Sequence, residues 1–219
     1  MTIELEVVAD PAAAAQRVGS LVAERARRAV GSRGRYSVAL SKVPPGLIEA
    51  VVAGDPPWAA LGVYQADERV GPAGSPDRNL TAILAALPPD AVDSLRPMPV
   101  EAPDLEDAAR LYESELPIPV DLVHLGLGLD GHTASLLPGD PVLDVDDKLV
   151  AVTSEYEGFR RMTLTYPALE AARELVWLVT GEEKRDVLAQ LLARDESMPA
   201  GRIANRHQVV VADEAAAAR

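Results

Sequence analysis

Val120-Asp121-Leu122-Val123-His124-Leu125-Gly126-Leu127-Gly128-Leu129-Asp130-Gly131-His132 is the stretch on which the fold reading turns. Its first eight residues are almost wholly apolar, the pattern of a strand buried on both faces, and such strands belong to parallel sheets covered by helices. Glycines 126, 128 and 131 follow, where backbone must turn sharply or let a ligand approach. In sheets of this kind ligands bind beyond the carboxyl ends of the strands. Asp130 and His132 therefore stand where chemistry is expected. Imidazole titrates near neutrality and can take a proton from water, while a neighbouring carboxylate fixes its tautomer and steadies the imidazolium. An isolated Asp-Gly-His more often just caps a turn, so the tripeptide needs support from elsewhere.

Working outward, strand-like and helix-like stretches alternate along the chain. Strands are expected at Ile3–Val8, Tyr36–Leu40, Leu61–Ala66, Leu149–Thr153, Met162–Thr165, Leu175–Thr180 and Gln208–Val211. Asp10-Pro11 reads as N-cap and first turn of an Ala- and Arg-rich helix that Gly31 closes. Further helices are expected at 46–53, 77–87, 104–116, 167–172, 182–193 and 214–218. The Pro-rich segment 88–103 and the acidic stretch 140–147 read as loops. The pattern gives a single α/β domain over 1–219, a mostly parallel sheet with helices on both faces.

Composition narrows the function. The 219 residues are 48% hydrophobic and 25% charged, so wholesale disorder is not expected. There is no Cys, hence no disulfide scaffold, thiolate metal site or cysteine nucleophile. A net charge of -13 weighs against a nucleic-acid partner. No apolar run approaches the ~20 residues of a membrane span, and the N-terminus lacks a signal-peptide pattern. The expectation is a soluble cytoplasmic protein, a monomer or small homo-oligomer. His207 reads as a strand-entry residue and His124 as a satisfied core histidine. With no matching Asp/Glu spacing, these two do not make a metal site.

Two other segments end at expected strand termini. Asp67-Glu68-Arg69 follows an apolar strand, with Asn79 downstream, and the Arg69 fork suits a phosphate or carboxylate. The alternative is a solvated charge cluster. Arg161 immediately precedes one expected strand, and Lys184 lies in the first turn of an expected helix, where free amides favour an anion. Only three lysines, Lys42, Lys148 and Lys184, stand among eighteen arginines.

Taken in order, Ala66-Asp67-Glu68-Arg69 with Asp77-Arg78-Asn79, Leu125 to Gly139, Arg161 to Leu169 and Gly181-Glu182-Glu183-Lys184 resemble the 6-phosphogluconolactonase family, related to glucosamine-6-phosphate deaminases. The block Asp130-Gly131-His132-Thr133-Ala134-Ser135-Leu136, followed by Pro138-Gly139, is the most specific of the four. The resemblance implies a Rossmann-like fold of the sugar-phosphate isomerase/lactonase type. It also implies hydrolysis of 6-phospho-D-glucono-1,5-lactone, a sugar-phosphate lactone, in the oxidative pentose phosphate pathway, without cofactor or metal. On that pattern His132 is the general base and Asp130 its support. Arg69, Arg161 and Lys184 would bind the substrate's phosphate or steady charge on the reacting carbonyl. Asp67, Ser41, Lys42 and Gly131 are further candidates for substrate binding, Lys42 outside the family pattern. The deaminase branch carries a catalytic Glu where this chain has Leu137, which cannot exchange protons.

One departure stands out. Where the family has a glycine-rich phosphate loop, this chain has Ser41-Lys42-Val43-Pro44-Pro45-Gly46, and a proline has no N–H to donate. Either Lys42 replaces the amide cradle with a point charge, or the chain is a weak or inactive homologue that binds sugar phosphates. Lys42 also reads as an ordinary exposed loop residue.

Overall fold

The computed structural model describes residues 3–218. Its strands are β1 (Ile3–Val8), β2 (Tyr36–Leu40), β3 (Leu61–Gln65), β4 (Asp67–Arg69), β5 (Leu95–Arg96), β6 (Leu122–Leu125), β7 (Val150–Val152), β8 (Arg161–Leu164), β9 (Leu175–Val179) and β10 (Gln208–Asp213). The helices are α1 (Pro11–Arg33), α2 (Leu47–Ala53), α3 (Asn79–Ala86), α4 (Pro89–Val92), α5 (Leu105–Glu115), α6 (Tyr166–Ala171), α7 (Arg185–Ala193) and α8 (Glu214–Ala217).

Seven strands form one sheet in the order β1-β10-β9-β6-β2-β3-β5, and every neighbouring pair is parallel. The apolar run read first becomes β6, its middle strand, buried along its whole length. β1 lies at one edge beside β10, with Ile3 opposite Gln208 and Val8 opposite Asp213. Helices cover both faces. On one, α1, α2 and α3 bury Val18, Leu47 and Ile83 against Val38, Leu40, Leu122 and Val176. On the other, α5, α6, α7 and α8 pack Tyr112, Leu169, Leu188 and Ala216 over Val123, Leu125 and Trp177. Successive residues of β6 thus point to opposite cores. No helix among the described residues is long and apolar enough to cross a membrane.

Four local features differ from the sequence reading. α1 runs through Gly31 to Arg33 and ends at Gly34, which takes φ +76° and donates its N–H to Val30 O. The segment 88–103 is more than a crossing, because Pro89 opens the short α4, and Leu95–Arg96 pairs with Val63–Tyr64 as the edge strand. β4, β8 and β7 leave the parallel sheet and form a separate antiparallel one. Finally, His124 is buried as expected but is not satisfied, since neither ring nitrogen has a hydrogen-bond partner.

The small sheet begins at Asp67, with only Ala66 between it and the end of β3. Its anchor is Glu68, wholly buried, whose oxygens accept the Asn79 and Leu80 amides at the start of α3 at 2.8 Å each and the Gln65 side-chain amide at 2.9 Å. Arg78 pairs with Glu68 at 3.4 Å and with Glu101. A carboxylate in this position satisfies free amides of a helix start and favours its dipole. Much of the Asp67–Arg69 and Asp77–Asn79 pattern is therefore structural: it ties α3 to β4.

Candidate active site

The carboxyl ends of β2, β3, β6 and β9 open onto a cavity of about 430 Å³, closed on one side by the antiparallel sheet. Ser41, Lys42, Asp67, Arg69, His132, Arg161 and Lys184 all line it. Segments more than a hundred residues apart in sequence thus meet at one place. Asp130 and Gly131 stand behind this lining rather than on it. Four cations face the cavity against two carboxylates, Asp67 and Glu157, a local excess in a chain of net charge -13. That excess gives an otherwise acidic protein a place for a small anion.

The loop after β6 is held by its own backbone. Gly128 N–H donates to His132 O at 2.8 Å, Gly131 N–H to Gly128 O at 3.1 Å, and Thr133 Oγ1 to Gly126 O at 2.8 Å. Gly131 takes φ +80°, where a side chain would be strained, and its carbonyl accepts the Ala200 amide at 3.0 Å. Its role in the structure is the turn. Gly128 lies directly under the next pair: a Cβ there would collide with the His132 ring and with Asp130 Oδ1.

His132 Nδ1 stands 2.6 Å from Asp130 Oδ1, and the His132 amide donates to the same oxygen at 3.2 Å. Because an ionised carboxylate only accepts, Nδ1 carries a proton, and in the neutral ring Nε2 is then the nitrogen with the lone pair. Partial burial pushes the Asp130 carboxyl up. The amide, charge and ring N–H of His132, with the Tyr156 hydroxyl, outweigh that and hold it below the usual carboxylate range.

Asp67 is fully buried. It accepts the hydroxyls of Ser41 and Ser135 at 2.8 Å each, and Asn79 Nδ2 at 3.3 Å. Burial raises its carboxyl, against the lowering effect of both serines and Arg161. An acceptor-only group so occupied repels a phosphate, and what it does here is fix Ser41 and Ser135 across the strand ends. The Ser41 amide is also engaged, donating to His124 O at 3.2 Å. In the same loop Lys42 is exposed and Pro44 forms part of the wall.

Lys184 ends a single 3-10 turn, Glu182–Lys184, before α7, and its Nζ donates to Leu127 O at 2.6 Å. Partial burial lowers its pKa, with Glu183 and Asp130 opposing that and Lys42 adding to it. Arg69 and Arg161 project from β4 and β8, paired across the small sheet. Each lies over an aromatic ring, Arg69 over Phe159 at 5.7 Å and Arg161 over Tyr156 at 5.2 Å.

These two rings belong to a feature absent from the sequence reading. The hairpin between β7 and β8 turns at Glu157-Gly158, both at positive φ, and brings Glu157 into the cavity wall and Tyr156 and Phe159 against residues that build it. Tyr156 donates its hydroxyl to Asp130 Oδ2 at 3.1 Å, Glu157 pairs with Arg161 at 3.3 Å, and Phe159 supports Arg69. Two strands joined by only eight residues, 153–160, with Glu-Gly in the middle, were the available signal. A parallel crossover needs about a dozen or more.

The family model described as glucosamine-6-phosphate isomerases/6-phosphogluconolactonase matches residues 9–212. A 6-phosphogluconolactonase of Synechocystis is 36% identical over 210 residues, covering 88% of this chain and 86% of that protein. The rat 6-phosphogluconolactonase is 35% identical over 243 residues, covering 97% and 92%. Among solved structures, the 6-phosphogluconolactonase of Trypanosoma brucei superposes with a TM-score of 0.85 at 25% identity, over 99% of this chain and 98% of that one.

Proposed function

Since the chain belongs to the glucosamine-6-phosphate isomerase/6-phosphogluconolactonase family, we propose that it is a 6-phosphogluconolactonase: it hydrolyses 6-phospho-D-glucono-1,5-lactone to 6-phosphogluconate, the second step of the oxidative pentose phosphate pathway. The observation that carries this reading is the His132–Asp130 pair, 2.6 Å apart, beside a cavity ringed by Lys42, Arg69, Arg161 and Lys184.

The chemistry follows from the tautomer. His132 Nε2 takes a proton from water as the water oxygen bonds to the lactone carbonyl carbon. The imidazolium formed is steadied by Asp130. Negative charge gathers on the carbonyl oxygen and is met by cations already in place, which need not reorganise when it appears. The bond from that carbon to the ring oxygen then breaks, and the ring oxygen takes the proton back from His132, giving the open-chain acid. The four cations of the cavity divide two tasks between them, meeting that charge and holding the substrate's phosphate. Lys42 supplies a point charge where the two prolines remove amide donors. Leu137 is buried in the core, which weighs against the deaminase reaction at a position where that branch uses a carboxylate.

The test is the disappearance of lactone generated in situ, with spontaneous hydrolysis subtracted, for the intact chain and for His132→Ala. The expected result is acceleration by the intact chain and a loss of roughly 10²–10⁴-fold in the variant, the usual contribution of a general base. No acceleration by the intact chain at high concentration refutes the reading. Binding of 6-phosphogluconate without turnover would then favour a sugar-phosphate-binding homologue.

A further inference from the structure

The β7–β8 hairpin reaches across the site from a different sheet, and at its turn Tyr156 meets the dyad. Its hydroxyl stands 3.1 Å from Asp130 Oδ2, while His132 occupies Oδ1. The His132 and Tyr156 rings lie edge to face with centroids 6.4 Å apart, and the Arg161 guanidinium covers the Tyr156 ring at 5.2 Å. One side chain thus touches both halves of the site, the proton-transfer pair through its hydroxyl and a cavity cation through its ring.

We propose that Tyr156 is a positioning residue for the lactonase reaction: its hydroxyl fixes the carboxylate of Asp130, and thereby the orientation of the His132 imidazole, while its ring fixes Arg161. The inference rests on the lactonase reading. Without the hydroxyl, Asp130 is held on one oxygen only, by a loop residue two positions away, and is free to rotate about its Cβ–Cγ bond. A two-point hold matters because a general base loses efficiency quickly when its lone pair is misdirected.

The charged neighbours set the direction of the pH effect. Asp130 is faced by His132 from its own loop, by Tyr156 from the hairpin and by Lys184 from the segment after β9. Tyr156 is faced by Asp130, Glu157 and Arg161, and the hydrogen bond to Asp130 is the main reason its phenol is held above the usual value. Removing the hydroxyl leaves the carboxylate with one fewer donor, so its charge favours the protonated imidazole more strongly. The acidic limb of the rate profile moves to higher pH.

Two variants separate the roles. Tyr156→Phe keeps the ring: kcat falls roughly tenfold, the rate equivalent of one hydrogen bond to a charged group, the acidic limb moves up, and KM is unchanged. Tyr156→Ala removes the ring as well and raises KM, because Arg161 loses its support. Unaltered kcat and pH profile in Tyr156→Phe overturn the proposal, as does a rise in KM alone. An NMR titration of the His132 ring in the intact chain and in Tyr156→Phe makes the result independent of turnover. An upward shift in the variant supports the Tyr156–Asp130–His132 linkage even if the chain hydrolyses no lactone, and coincident titrations refute it.

Discussion

Replacing His124 with leucine should remove a specific acid sensitivity from this protein. The ring lies in β6, 1% exposed, on the sheet face covered by α1 and α2, and neither nitrogen is hydrogen-bonded. Burial alone lowers its pKa from 6.5 to about 4. Above pH 6.5 the ring is neutral in both folded and unfolded chains and has no effect on pH dependence. As pH falls through 6.5 the unfolded chain binds a proton that the folded protein refuses until about pH 4. Stability is lost over that window, since it rises with pH wherever the unfolded state holds more protons. Each pH unit between the unfolded and folded values is worth about 1.4 kcal/mol, so the loss at pH 4 is about 3 kcal/mol. That is a large part of the ~5–15 kcal/mol that holds a domain together. Urea denaturation of both proteins from pH 7.5 to 4 measures it. At pH 7.5 His124→Leu should be at least as stable as the parent, because two orphaned polar atoms are gone. Its advantage should then grow by about 3 kcal/mol towards pH 4. A stability difference that stays constant across this range would refute the reasoning, for it would mean that the folded protein lets the ring ionise in place.

Two substitutions test the supports of the site. Gly128→Ala puts a methyl group into the His132–Asp130 pair, so hydrolysis of the lactone should fall by at least about a hundredfold while circular dichroism stays that of the parent; an active variant would show that the pair is not tightly placed. Glu68→Gln leaves Arg78 buried beside a neutral group and turns an N–H toward the α3 amides. A loss of about 3–5 kcal/mol is expected in chemical denaturation, and a loss below about 1 kcal/mol would show that Glu101 alone satisfies Arg78.

How much of this was legible in the sequence depends on the range over which the deciding interactions act. The largely apolar run of β6 was legible because burial on both faces removes the alternation of polar residues that a half-exposed strand shows, with His124 the one polar side chain in it. The dyad was legible because Asp130 and His132 are two residues apart. The end of α1 was not: Gly31 and Gly34 are equally plausible stops, and only Gly34 adopts φ +76°, while a glycine inside a helix costs just ~1 kcal/mol. The strand at Leu95–Arg96 was hidden because its two residues owe their conformation to Val63–Tyr64 next door. His124 shows the same limit for a side chain, since local pattern places the ring inside but says nothing about who meets its nitrogens. The antiparallel sheet could have been inferred from the short connection after β7, and Tyr156 would then have been found at its tip. The convergence of Lys42, Arg69, Arg161 and Lys184 could not, because four separate strand ends bring them together.

The pairing of β1 with β10 has a consequence for how the chain comes into being. Ile3 lies against Gln208 and Val8 against Asp213, so β1 leaves the ribosome without its partner and stays so until about two hundred further residues have been made. At about 5–20 residues per second that interval is on the order of ten to forty seconds. Through all of it the α1 helix must wait with part of its apolar face uncovered, for β9 and β10, two of the strands it packs on, are also late products. Nascent chains of this protein should therefore depend on the holding chaperones of the translation machinery more than a domain whose first hairpin closes at once.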